Sequence, residues 1–294
     1  MKSVFKFIMP ALLLLAAGCI SWDEGWKTKF QATGQGEVKA LLASASSLES
    51  SANSADNVKN VIAAYEKVIA VDPVNYNALS KLGEFTHLYA YIYSTDRNVK
   101  AEYYLKSLNY CERAMYTNPK FKALADQGKP VWECVDVLTV KEMEAMFYWY
   151  VAAGQYWTEC FNSIYHLFNF RLPGKVKIVL QKMSSLDPDW GYGRVHMAWG
   201  AFYSIVPGFM GGDDTKAAEE FTKSNKVAPQ ALHSYYLRAR YLHVKNKNRE
   251  AFKKDLEYVL AADVKKINFP YQWAIGYQIK AKELLGQIDK LFKQ

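Results

Sequence analysis

From residue 58 the apolar positions Val58, Val61, Ile62, Tyr65, Val68 and Ile69 recur at i, i+3, i+4 and i+7, the spacing that gathers side chains on one face of an α-helix. The pattern stops at Asp72-Pro73, since proline does not fit a helix interior. A second helical pattern covers Tyr76 to Tyr93 and a third covers residues 100–117, ending at Asn118-Pro119; similar stops recur at Asp187-Pro188 and Ala228-Pro229. The phrases YEKVIAVDP, CERAMYTNP, LQKMSSLDP and FTKSNKVAP each close a helix, and each proline leads into a new one after a short turn. Residues 249–260, with Phe252, Leu256, Val259 and Leu260 on one face, add another helix. No run alternates apolar and polar residues as a half-buried strand would. The body is therefore read as all-α, an irregular tetratricopeptide-like helical-repeat array. Its repeat prolines stand 46, 69 and 41 residues apart, away from the roughly 34 of regular units. Stacked helix pairs of this kind curve around a groove, which favours binding over catalysis.

Two segments break the amphipathic rule. Ten aromatic residues lie between Phe147 and Phe170, and their first stretch, AMFYWYVAA, is apolar on every side. Such a helix must be surrounded by protein or face a closed cavity. In the second segment, WGYGRVHMAWGAFYSIVPG, the residues His196, Trp199 and Tyr203 share one helical face, with Val195, Ala198, Phe202 and Ile205 largely elsewhere. Imidazole, indole and phenol together supply apolar area with polar tips, suiting the wall of a ligand cleft. Trp149, Trp157, His196, Trp199 and Tyr203 are the candidate ligand-binding residues; the competing reading of each is core packing between repeats.

The N-terminus changes the picture. Lys2 and Lys6 precede an apolar run from Ile8 to Ala17, and Ala16, Ala17 and Gly18 lead to Cys19. This is an export signal, set apart from the fold. Small residues ending at a cysteine resemble the lipobox of bacterial lipoproteins, so residues 1–18 are expected to be removed and Cys19 to be lipidated. Ile20, rather than an acid, follows the cysteine, which resembles the pattern sorted to the outer membrane. Residues 19–36, glycine-bearing and without helical period, read as a lipidated tether, and residues 37–294 as the folded domain. The remaining Cys111, Cys134 and Cys160 are an odd count with no metal-ligand spacing, and buried free thiols are their expected state.

Charge is uneven. Residues 238–294 carry 13 Lys/Arg against 6 Asp/Glu, a net +7, within a chain of net +8. Nucleic acid is not an expected partner for an exported lipoprotein, so this excess points to anionic lipid or an acidic protein, unless it is only a solvated face. Lys245, Lys247, Arg249, Lys253 and Lys254 cluster around one inter-helix turn and are the candidate partner-binding residues. Searches for catalytic motifs fail: there is no G-x-S-x-G, H-E-x-x-H, phosphate-binding loop or dinucleotide fingerprint. The five histidines have no metal spacing, and Gly211-Gly212-Asp213-Asp214 reads as a turn and helix cap. Neither an enzyme nor a cofactor is expected.

The stretch DPDWGYGRVHMAWGAFYSIVPGFMGGDDTKAAEEFTKSNKVAP, followed by AFKKDLEYVLAAD, resembles the T component of tripartite ATP-independent periplasmic (TRAP) transporters. The most specific matches are Gly193, His196, Gly200, Pro207, Gly211-Gly212, Ala217 and Phe221, with EAMFYW at 144–149 as a second. The resemblance implies a periplasmic lipoprotein without catalytic activity, a homo-oligomer with a trimer as the leading form. It also implies a cleft lined by apolar and aromatic groups and a working partnership with the soluble substrate-binding P component. A general envelope scaffold whose groove holds a peptide is the competing reading, disfavoured by the density of aromatic residues.

Overall fold

The computed structural model describes residues 22–293 apart from Lys29; Cys19 and the export signal lie outside the described residues. Among the described residues there is no strand, and the chain is built from helices joined by short turns. The first half runs α1 (Val38–Glu49), α2 (Ala55–Val71), α3 (Tyr76–Leu88), α4 (Arg97–Tyr116), α5 (Pro119–Ala125), α6 (Val131–Cys134) and α7 (Met143–Gln155). The second half runs α8 (Ser163–Phe168), α9 (Leu172–Leu186), α10 (Trp190–Ile205), α11 (Asp214–Val227), α12 (Leu232–Leu237), α13 (Arg249–Ala261), α14 (Tyr271–Leu285) and α15 (Ile288–Leu291).

The helix starts have local causes. Ser54, Asn75, Asp96, Asn118 and Asp213 each accept a backbone N–H of the first turn that follows them, and Pro119 occupies the first position of α5. Those N–H groups have no partner within the helix, so the caps fix where each begins. The stripe Val58, Val61, Ile62, Tyr65 and Val68 is buried as its spacing requires. The all-round apolar helix α7 is buried along nearly its whole length, packed on α3, α4 and α9.

Consecutive helices pair closely, α10 with α11 most of all. Glycine permits that pairing at two positions. A Cβ at Gly200 would lie 2.8 Å from the Phe221 ring, and Gly193, at φ +71°, would bring one to 2.9 Å from the Ser224 carbonyl oxygen. Gly193 ends a run of three left-handed residues, Gly191, Tyr192 and Gly193, that opens α10. The sequence phrase Gly-x-x-His is therefore a packing requirement. Gly193→Ala is expected to destabilise the chain by at least about 1–2 kcal/mol, the cost of a left-handed non-glycine residue, read as a lowered denaturant midpoint. A wild-type midpoint in that variant would contradict the assignment.

Residues 22–36, the described part of the 19–36 segment read as a lipidated tether, lie along the body. Trp22 Nε1 donates to Glu112 at 2.7 Å and the Gly25 amide donates to the same carboxylate at 2.6 Å. Trp26 stacks on Tyr116 at 6.0 Å, the Arg113 guanidinium sits 3.4 Å over Phe30, and the Thr33 and Gly34 amides share the Ala70 carbonyl oxygen. Trp22, Trp26 and Phe30 are four residues apart. Half-burying the Trp22 and Trp26 rings, with Phe30 against the Arg113 guanidinium, offsets the freedom the segment loses, since aromatic side chains carry the largest apolar areas.

Three helices end in a wider π-helical turn: Tyr89–Tyr93 after α3, Tyr156–Cys160 after α7 and Arg238–His243 after α12. Such turns re-aim side chains and recur at functional sites. All three converge on one cavity.

Candidate ligand-binding cavity

Between α7, α9, α10 and the α12–α14 region lies a cavity of about 110 Å³. Its wall on α10 is formed by Arg194, Met197, Ala198, Ala201, Phe202 and Ile205, which follow helical spacing along one face. From Arg194 to Ile205 is about 16 Å of helix rise, so the cavity is elongated. Leu172, Pro173 and Val176 of α9 and Phe147, Tyr150 and Val151 of α7 add apolar walls, and the three π-helical turns contribute Tyr91, Trp157 with Thr158, and Tyr241.

The two ends differ. At one end Trp157, Thr158 and Ile205 are half-buried. At the other, His87, Tyr148, Arg194, His233 and Trp273 are buried and close to one another: the His87 ring is 6.0 Å from Tyr148 and 5.6 Å from Trp273, and the Arg194 guanidinium is 5.7 Å from the Tyr148 ring centre. Polar atoms here lack partners. Among the described residues, both ring nitrogens of His87 and of His233, the hydroxyls of Tyr91 and Tyr148, and, on the π-turn side, Gln155 Oε1 and Trp157 Nε1 have no hydrogen-bond partner. Buried polar groups in folded proteins are nearly always satisfied. So many orphans lining one apolar space leave several donors and acceptors open toward it.

Arg194 sets the electrostatics of the buried end. Burial opposes its charge, but Tyr148, Glu144 and Glu84 raise its pKa above the ordinary arginine value. No carboxylate is hydrogen-bonded to it among the described residues. Glu84 is already committed, one oxygen to Lys81 Nζ at 3.0 Å and the other to Gln272 Nε2 at 3.1 Å and Trp273 Nε1 at 2.9 Å. Lys81 and Arg194 overcome the burial of Glu84 and hold it down at about 2. Burial, with the charge of Glu84 added, pushes Glu144 up. Burial above all, with Arg194 adding to it, lowers both His87 and His233 to about 3, so each is neutral at pH 7 and offers one donor and one acceptor. The cationic guanidinium is caged by the faces of Phe147, Tyr148 and Trp190, an arrangement that holds it without neutralising it.

Of the five aromatic candidates named from sequence, only Trp157 lines this space. Trp149 projects to the other side of α7, donates to Glu112 at 2.9 Å and lies 6.1 Å from Trp22. His196 bridges Asp189 at 3.1 Å and Glu220 at 2.7 Å, tying α10 to α11. Trp199 donates to Ser184 at 2.7 Å and stacks on Tyr203 at 5.2 Å. The stripe His196, Trp199 and Tyr203 is a neighbouring face of the same helix; Ala198, Phe202 and Ile205, which fall off that stripe, line the cavity. Arg194, His87 and His233 were missed. The available signal was a charged or polar residue inside an apolar helical stretch, as Arg194 is in GRVHMA.

The basic cluster sits at the turn between the third π-helical turn and α13. Lys245 pairs with Asp214 at 2.6 Å, Arg249 with Asp289 at 2.7 Å and Lys253 with Glu257 at 3.7 Å, while Lys247 and Lys254 form no ion pair among the described residues. Its field is weaker than the bare count suggests. Asp213 caps α11 through the Thr215 and Lys216 amides, as its sequence context predicts. The three described cysteines are buried and free. Among the described residues no group of three or more metal-capable side chains occurs, and no helix is long and apolar enough to cross a membrane.

No curated protein matches the chain. The family model of the TRAP transporter T-component matches residues 55–292, a span that contains the paired α10–α11 helices, every helix lining the cavity and the basic turn. The chain belongs to the TRAP transporter T-component family.

Proposed function

We propose that the protein is the membrane-anchored periplasmic accessory component of a TRAP transport system, that it works as a homo-oligomer, and that its cavity holds a small apolar molecule with an anionic head. The observation that carries the ligand reading is Arg194 at the closed end of an apolar space, caged by aromatic faces and with no carboxylate hydrogen-bonded to it among the described residues. An anion there gains a charge-assisted bond in a low-dielectric setting, and the neutral His87, His233 and Tyr148 supply further donors. The alkyl part lies along Met197, Ala198 and Phe202. Cys19 carries the anchor and the P component delivers or receives the ligand. Native mass spectrometry of the chain isolated from its own envelope is expected to show a mass increment that organic extraction resolves as an amphiphilic acid. An unliganded mass, with no binding of added alkanoate, would contradict the reading.

Docking of the P component is proposed at the basic turn, with Lys247 and Lys254 as its free cations and Lys245, Arg249 and Lys253 as paired support. Opposite charge accelerates encounter more than it deepens affinity. Reversing Lys247, Lys253 and Lys254 to Glu is expected to slow association several-fold at low salt, with the difference fading where the screening length falls to about 8 Å. Stopped-flow rates at two salt concentrations decide it; equal rates at low salt would remove the steering.

A further inference from the structure

We propose that the half-buried end of the cavity rests on an anionic lipid surface, through a face made by α8, the start of α9 and the turn after α10. Ile164, Tyr165 and Phe170 are 63%, 43% and 54% exposed, and Phe209, on the turn after α10, is 89% exposed. Exposed aromatic and aliphatic side chains in one region mark an interaction surface. Between Cys160 and Asp187 the chain has four basic residues and no acidic one. Three of them surround the start of α9: Arg171 beside the Phe170 ring at 5.5 Å, Lys175 on the α6 side over Trp132, and Lys177 on the α10 side over Phe202. Lys177 also lies beside Gly211 of the turn that carries Phe209. The acids Asp187 and Asp189 stand at the far end of α9, about 20 Å away along its axis. Aromatic rings with basic residues that reach past them fit the headgroup region of a bilayer, and Asp213, at the end of the Phe209 turn, is taken up by capping α11.

The anchor favours lipid over another protein, and to that extent the inference rests on the reading of Cys19 as acylated. Trp22 is clasped to Glu112, and its ring is 6.4 Å from Tyr156, which is 5.1 Å from Phe161, which is 6.1 Å from Tyr165. Trp22 stands three positions after Cys19, a reach of about 10 Å at full extension. An acylated Cys19 therefore holds this edge of the body at the membrane. Trp157, Leu172 and Ile205 of the cavity lie just behind the face, so an amphiphile would exchange between bilayer and cavity without crossing bulk water.

The test uses the full-length, processed chain in vesicles, carrying one added cysteine labelled with an environment-sensitive fluorophore at Phe170→Cys or, as control, at Lys265→Cys in the exposed turn between α13 and α14. With phosphatidylglycerol vesicles the label at 170 is expected to shift to the blue and be quenched by brominated lipid at least several-fold more than the label at 265. Arg171→Glu, Lys175→Glu and Lys177→Glu together should remove the excess quenching. If the chain proves not to be acylated, the face alone must still bring it to phosphatidylglycerol vesicles at low salt with position 170 shielded. An anchored chain with the 170 label as open to water as the 265 label overturns the proposal and leaves the anchor standing. Shielding at 170 that is already complete without vesicles, or that needs an added P component, also overturns it, in favour of a second copy or a protein partner.

Discussion

Arg194→Leu is expected to lower the affinity for decanoate by about 10- to 100-fold, the equivalent of a charge-assisted hydrogen bond at about 1.5–3 kcal/mol, while leaving decanol binding within about twofold. The leucine keeps apolar contact with Phe147, Tyr148 and Trp190, which surround the guanidinium. Glu84 keeps Lys81, Gln272 and Trp273 as partners, so the fold retains its principal buried carboxylate contacts. Arg194→Lys should recover part of the loss, because lysine restores charge but not the planar fork. Titration followed by intrinsic tryptophan fluorescence measures all four values, since Trp157 and Trp273 line the cavity. Equal loss of acid and alcohol would show that the substitution damages the cavity rather than a head-group contact.

The second large effect falls on Glu112. This fully buried carboxylate accepts from Trp22, Trp149 and the Gly25 amide. Glu112→Ala strands the Trp149 and Gly25 donors, each at about 1–3 kcal/mol, so a loss of roughly 3–5 kcal/mol is expected, with residues 22–36 released to protease. Burial pushes the Glu112 carboxyl up to about 7, against the pull of its three donors. The folded state then holds a proton that the unfolded state gives up at the ordinary carboxylate value. This contribution to stability is complete below that value and is lost as the pH rises through about 7. Wild type should therefore lose stability between about pH 5 and pH 8 through this group, and Glu112→Gln should flatten that slope. Denaturant midpoints across the range, with and without the substitution, give the comparison; an unchanged slope in Glu112→Gln would assign the pH dependence elsewhere.

The fold was legible because its signals are local. Val58 to Ile69 carry a helical stripe, Asn118-Pro119 carry a cap and a first-turn proline, and Asp213 carries a cap before α11. Each acts within a few residues of itself. The cavity was half legible: the two segments that wall it stood out, yet the face of α10 singled out in sequence for its histidine, tryptophan and tyrosine is not the one that lines it. Their actual partners, Glu220, Ser184 and each other, lie on neighbouring helices or satisfy them on the outer face. Whether a polar side chain is satisfied depends on contacts distant in sequence, as when His87 of α3 meets Trp273 of α14. The π-helical turns that aim Tyr91, Trp157 and Tyr241 leave no mark in periodicity. The N-terminal segment misled for a similar reason: glycines and polar residues suggested freedom, while Glu112, remote in sequence, holds Trp22 and Gly25 in place.

Isothermal titration of the delipidated wild-type chain with decanoate and with decanol reads out whether the cavity takes an apolar molecule by an anionic head. Saturable one-to-one binding of decanoate at least about tenfold tighter than that of decanol is expected, as a bond to a buried cation requires. Equal affinity for acid and alcohol, or no saturable binding of either, would contradict it.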